Sequence, residues 1–269
     1  MDEFIELLRS ASDGALSGVS DGIVFTMFVV IVLLAIASVI AFGVSVWLFF
    51  SYVKYNRTAN SAGKTGEQVA RRILDENGLE RIKVSKNGSI LFGNSYSHYF
   101  KKVRLRRLTW KKDSVTSLTM AAQKSSLAVL DKTGDADMKK RIRLTPIIYF
   151  GPLAFIPMLL IGVILDLFVF NFGSGICTII FTCLGLALYV ASFVMSVLVL
   201  KTEKKAQALA LEIMKKDGLA TDEEIEISKK LFRLYNIEYI NDMVVALLEL
   251  VYRVLQIIAF TQSDSSAKN

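Results

Sequence analysis

Histidine is nearly missing from this chain: His98 is the single one in 269 residues. A zinc site of the His-Glu-x-x-His kind needs imidazoles at i and i+4 on one helix face, so one histidine excludes it. Serine is plentiful, but a histidine base is available nowhere except at His98. A Ser-Lys dyad of Ser125 with Lys124 is badly placed, because neighbouring residues on a helix point about 100° apart. Cysteine is almost as scarce. Cys177 and Cys183 lie six residues apart in one apolar run, face different directions and do not form a metal knuckle, which leaves them as small packing residues. Charge is absent from Ile23 to Val53, 31 residues in a row. As a helix that run is about 46 Å long, more than the roughly 30 Å hydrocarbon core of a bilayer.

What the chain does contain is apolar surface. Hydrophobic residues make up 53% of it and the mean hydropathy is +0.45, too apolar for a soluble domain of this size. Two further runs, Pro146 to Phe172 and Ile176 to Leu200, are joined by the short turn Gly173-Ser174-Gly175 and predict a transmembrane hairpin over 146–200. Met243 to Phe260 is a fourth candidate, either spanning or interfacial. It carries Glu249 and Arg253 four apart, a spacing that predicts an ion pair on one face. Asp166 is a carboxylate inside the second run, near its outer end.

Charge sets an orientation. Residues 1–22 carry Asp2, Glu3, Glu6, Asp13 and Asp21 against Arg9, with no basic segment ahead of an apolar core, so a cleavable signal peptide is not expected. Residues 54–145 hold 21 Lys or Arg against eight Asp or Glu. The positive-inside rule puts this basic segment in the cytoplasm and the acidic N-terminus outside. The expected order is an extracytoplasmic 1–22, a first span over 23–53, the cytoplasmic 54–145, the hairpin, cytoplasmic helices over 201–242, the helix over 243–260 and a tail, 261–269.

Within the basic segment, Thr65 with Gln68 forms a capping box ahead of Val69, Ile73 and Leu74, which predicts a helix from about Gly66 to Glu76. Gly63-Lys64-Thr65 is not a phosphate loop, since the glycine that motif requires is Thr58 here. Ile82 to Ser85 and Ser89 to Phe92 flank Lys86-Asn87-Gly88, a hairpin signal, and Val103 to Arg107 supplies a third strand. Lys101, Lys102, Arg104, Arg106, Arg107, Lys111 and Lys112 crowd together beside Tyr99, Phe100 and Trp110. In a membrane protein this basic patch suits anionic lipid headgroups or an acidic protein better than nucleic acid, or it is a solvated face that only sets orientation. Thr221 with Glu224 marks another capping box, opening a helix that can run into Met243 and beyond.

Several fragments in order resemble the bacterial membrane-embedded neutral zinc metallopeptidases, often called YugP-like. The best is Ala62 to Leu79; Lys102-Val103-Arg104-Leu105 matches the strand before the family's zinc helix. Ala121, Ala122, Ala128 and Asp131 match the frame of that helix, predicted over 114–131, and Glu203 with Ala206 falls where the family has its third metal ligand. The resemblance implies a mainly α multi-pass membrane protein with about four transmembrane helices and a small cytoplasmic α+β, zincin-like segment, in the bacterial inner membrane. It also locates a substitution. Where the family reads Ala-His-Glu-x-x-His-Ala-x-Gln, this chain has Gln123 and Leu127 at the ligand positions and Lys124 at the general base. Leucine ligates no metal, an amide is a poor zinc ligand, and a lysine cation cannot take a proton from metal-bound water at neutral pH. His98 falls on a proline position of the family's Asp-His-Tyr-Asp-Pro segment, so it is no displaced ligand. Beside the site, the family's Thr-Tyr-Val-Ala-Ala-Ala is Glu238-Tyr239-Ile240-Asn241-Asp242-Met243, which loses its small residues.

These residues predict a pseudopeptidase without zinc or other cofactor, in which Lys124 pairs with Glu203 in place of the metal. Its role would be structural or regulatory, next to an active paralogue, another membrane protein or a second copy. Two alternatives stand beside it: a still-active zinc metallopeptidase with a divergent site, and a lipid-binding or membrane-assembly factor that uses the basic segment.

Overall fold

The structure, a computed structural model, describes residues 2–12, 16–87, 93–169 and 175–267. Its elements are α1 (Asp2–Ala11), α2 (Asp21–Tyr55), α3 (Gly66–Glu76), β1 (Lys83–Asn87), β2 (Ser95–Ser97), β3 (Lys102–Arg106), α4 (Arg107–Lys111), α5 (Val115–Lys132), α6 (Ala136–Ile164), α7 (Ile176–Lys216) and α8 (Asp222–Ala267). A π turn, Leu165–Val169, extends α6.

Among the described residues three helices are long and apolar enough to cross a membrane: α2, α7 and the Asp222–Ser263 part of α8. The apolar stretch of α6, Ala154–Val169, is shorter. α6 and α7 pack as a hairpin with their backbones close together. A Cβ on Gly162 would sit 2.7 Å from the Thr178 Cα, so only glycine fits there. The Gly173-Ser174 part of the expected turn lies outside the described residues. Asp166 explains itself at this end. Its carboxylate accepts from the Cys177 N–H (2.9 Å), the Thr178 N–H (2.7 Å) and the Thr178 hydroxyl (2.7 Å). These amides open α7 and have no partner within their own helix, so the acid of one helix caps the next. Asp166→Ala is expected to lower the unfolding temperature of the detergent-solubilised protein, whereas Asp166→Asn, which keeps an acceptor oxygen, should recover part of the loss.

α2 and α8 lie side by side. Near one end the Ser20 N–H donates to the Gln262 side chain (2.9 Å), and further along the Ser45 hydroxyl donates to Glu238 (2.9 Å). The expected Glu249–Arg253 pair is not formed. The Arg253 guanidinium lies over the Phe155 ring (5.0 Å), and Glu249 accepts from the Tyr189 hydroxyl (3.3 Å). Helical spacing permits the pair, but α6 and α7 present an aromatic face and a phenol, and each charge takes a neighbour from another helix.

The extramembrane body is built from local signals and one nonlocal pairing. Thr65 accepts from the Gln68 N–H, and the Gln68 side chain accepts from the Thr65 N–H, so α3 begins at its capping box. The sheet order is β1-β3-β2, with β1 parallel to β3 and β2 antiparallel to it. The expected hairpin partner, Ser89 to Phe92, lies outside the described residues; β1 pairs with β3 across the sheet. Along β3, Val103 and Leu105 are fully buried and Lys102, Arg104 and Arg106 turn to the other face, the period-two alternation of a strand with one apolar side. Val103 and Leu105 join Val69, Ile73 and Leu74 of α3, Leu118, Ala121 and Ala122 of α5, and Ala210 and Met214 of α7 in the main core.

Candidate functional site

The centre of that core is α5, capped by Ser114, whose hydroxyl accepts from the Ser117 N–H. Its small residues Ala121, Ala122, Ser125 and Ala128 are wholly buried, which lets α3 and α7 approach it from two sides. Ser125 points into this packing and donates to the Ala70 carbonyl (3.4 Å), away from any partnership with Lys124.

α7 brings Glu203 against the next positions of α5. Glu203 Oε2 accepts from the Gln123 amide (2.8 Å) and from the Lys124 ammonium (2.9 Å). Its other oxygen, Oε1, accepts from Arg141 of α6 (2.8 Å). The three charged side chains are 14 to 18% exposed, so this is a buried cluster of two cations on one carboxylate. Burial alone would raise the Glu203 pKa, but the charges of Lys124 and Arg141 reverse that and hold it at about 2. Leu127, one turn beyond Gln123, is buried with Met138 and Ala206.

Arg141 is absent from the sequence expectations. It stands 17 positions after Lys124 on another helix. A tight turn at Gly134, with φ of +73°, and the Asp135 cap of α6 fold the chain back to deliver it.

Two cavities flank the cluster. The first, about 240 Å³, is bordered by Gln123, Lys124, Glu203, Arg106, Glu238 and Asp242. The acids of the Glu238-to-Met243 segment therefore share this cavity with Gln123 and Lys124. The second, about 440 Å³, is bordered by His98, Arg104, Leu127 and Arg141, and shares Val199 and Tyr239 with the first. Two of its border residues hold Asp131, which lies behind them: the acid accepts from the Tyr96 hydroxyl (2.5 Å) and meets His98 Nδ1 (2.6 Å). The lone histidine is thus tied to the far end of α5 and stands apart from the Glu203 cluster. The basic patch is divided: Arg106 borders one cavity, Arg104 the other, Lys112 reaches the Asn56 carbonyl (3.3 Å), and Lys101, Arg107 and Lys111 are exposed.

Residues 29–258 match the family described as "Putative neutral zinc metallopeptidase". The chain belongs to this family. It is also similar to the "Putative membrane protease YugP" of Bacillus subtilis (strain 168), with 24% identity over 218 residues, 80% of this chain and 92% of that protein. No solved structure matches it. At Gln123, Lys124 and Leu127, where the resemblance expects the family's zinc motif, the donor set is poor. Among the described residues no three or more His, Cys, Asp or Glu stand together as a metal would require. The Gln123 amide is engaged, Leu127 offers no donor, and both oxygens of Glu203 face cations. These residues do not fit a zinc ion, whose charge would add to those of Lys124 and Arg141.

Proposed function

We propose that this member of the zinc metallopeptidase family is a pseudopeptidase, a non-catalytic membrane protein with a structural or regulatory role beside a membrane-protein partner. One observation carries the reading: the Lys124 ammonium lies 2.9 Å from Glu203, where the resemblance expects a general base and a metal ligand. A cation at that position supplies locally the positive charge that a zinc ion would otherwise supply, and it forms no nucleophile.

The proposed arrangement has four spans, with α6 completing the hairpin and the basic residues 54–145 in the cytoplasm. It is supported by the excess of Lys and Arg there and by the meeting of the α2 start with the α8 end. A second copy or an active paralogue is the proposed partner, held through the spans.

The test is the metal content and proteolytic activity of the full chain purified in mild detergent. The expected result is far less than one zinc per chain and no casein hydrolysis above that of a Glu203→Ala variant. About one zinc per chain, lost with Glu203→Ala, would instead establish an active enzyme with a divergent ligand set. Identification of co-purifying proteins checks the partner, and a preparation that stays monomeric and alone counts against it.

A further inference from the structure

The larger cavity has a chemistry of its own. Its border includes Arg104, Arg141 and His98 but no Asp or Glu. The nearby acids are already engaged, Asp131 by Tyr96 and His98, and Glu203 by Lys124 and Arg141. Arg104 has no acid within ion-pair distance among the described residues; its guanidinium lies over the Phe100 ring (5.4 Å). Arg141 uses Nη2 on Glu203, and its Nη1 is buried without an acceptor among the described residues. The cavity therefore has at its border Arg104, a cation without an acid partner among the described residues, with Arg141 beside it, and no acid among its border residues.

Its position says which anion. Thr145 and Val199 border it where the apolar run of α6 begins and that of α7 ends. Its outer wall is the turn between β2 and β3. Lys101 takes a left-handed conformation there, with φ of +46°, which makes the turn tight. The Tyr99 hydroxyl donates to the Ile142 carbonyl (3.0 Å) and ties the turn to α6. Tyr99 and Phe100 are nevertheless 61% and 66% exposed. Exposed aromatics beside lysines and arginines at the end of a span are what the headgroup layer of a bilayer accommodates.

We propose that this cavity binds the phosphate of an anionic membrane phospholipid, with Arg104 as the principal contact, Arg141 behind it, and Tyr99 and Phe100 resting among the headgroups. The shared chemistry is a tetrahedral phosphate, and free inorganic phosphate is the other source of it. The inference needs α7 to span the membrane and is independent of whether the chain cleaves peptides.

The experiment is native mass spectrometry of the detergent-solubilised full chain, titrated separately with short-chain phosphatidylglycerol, short-chain phosphatidylcholine and inorganic phosphate. One phosphatidylglycerol per chain is expected, held more tightly than either other probe. Arg104→Gln should weaken it roughly five- to tenfold, Arg104→Lys by less, and Lys111→Gln, outside the cavity, not at all. Equal retention of phosphatidylcholine would overturn the proposal, as would a Lys111→Gln loss as large as that of Arg104→Gln, the mark of diffuse attraction. Inorganic phosphate bound as tightly as the lipid would move the site to a soluble ligand and overturn the lipid assignment. The preference of the unsubstituted protein among the three probes decides the matter even if a variant fails to fold.

Discussion

Glu203→Gln is expected to destabilise the protein by about 3–5 kcal/mol, the range for removing one partner of a buried ion pair. The substitution keeps the shape and removes the charge, leaving Lys124 and Arg141, 14% and 18% exposed, facing one another without a counter-ion. Lys124→Met should cost less, because Arg141 still neutralises the carboxylate. A denaturant or thermal series on the detergent-solubilised protein measures both. A change below about 1 kcal/mol for Glu203→Gln would mean that the cluster behaves as a solvated surface pair, and the substitution of a metal by a buried cation would fail with it.

The same carboxylate gives a pH dependence whose sign follows from its depressed pKa. Glu203 titrates at about 2 in the fold against an ordinary 4.5, so its contribution is fully present above about pH 4.5 and is lost as the pH falls through about 2. The difference corresponds to roughly 3 kcal/mol. In Glu203→Gln that acid-dependent loss should shrink by a comparable amount, which separates this group from the other carboxylates of the chain.

How much of this was legible in the residues depends on how local each feature is. The start of α3 is written in Thr65 and Gln68, and the alternation of Val103 and Leu105 with the basic residues of β3 is a property of one strand. Membrane insertion is legible from composition and from the charge-free first run; among the described residues three helices are long and apolar enough to span, beside the shorter apolar stretch Ala154–Val169. Pairing is less legible. The Asn87-Gly88 signal speaks for a neighbouring strand, whereas the described partner of β1 is β3, set by a core shared with α3 and α5. Spacing allowed Glu249 and Arg253 to meet, and neighbours on other helices took both. At the site, the resemblance pointed to Lys124 and Glu203 as neighbours. Nothing in the sequence pointed to Arg141, because the turn that delivers it only positions it once α6 packs on α7.

Restoring the motif should convert the charge cluster into a metal site. In Gln123→His/Lys124→Glu/Leu127→His, the two imidazoles stand one turn apart on α5, which packs against Glu203 of α7. Glu203 Oε2 is the oxygen that Gln123 and Lys124 now occupy, so their removal frees it to ligate while Arg141 keeps Oε1. Three protein ligands with an open fourth position are the donor set of a catalytic zinc centre. The triple variant is expected to retain about one zinc per chain, against far less for the natural protein, and the metal should raise its unfolding temperature. Adding Glu203→Ala should abolish that retention. Leu127 limits the outcome, since it is buried with Met138 and Ala206 and an imidazole there gives up apolar packing. The variant should therefore be less stable than the natural protein without metal and recover on adding zinc. If it folds and still binds none, α5 and α7 no longer hold the geometry of a metallopeptidase, and the substitutions at residues 123, 124 and 127 have been followed by a change of the backbone frame itself.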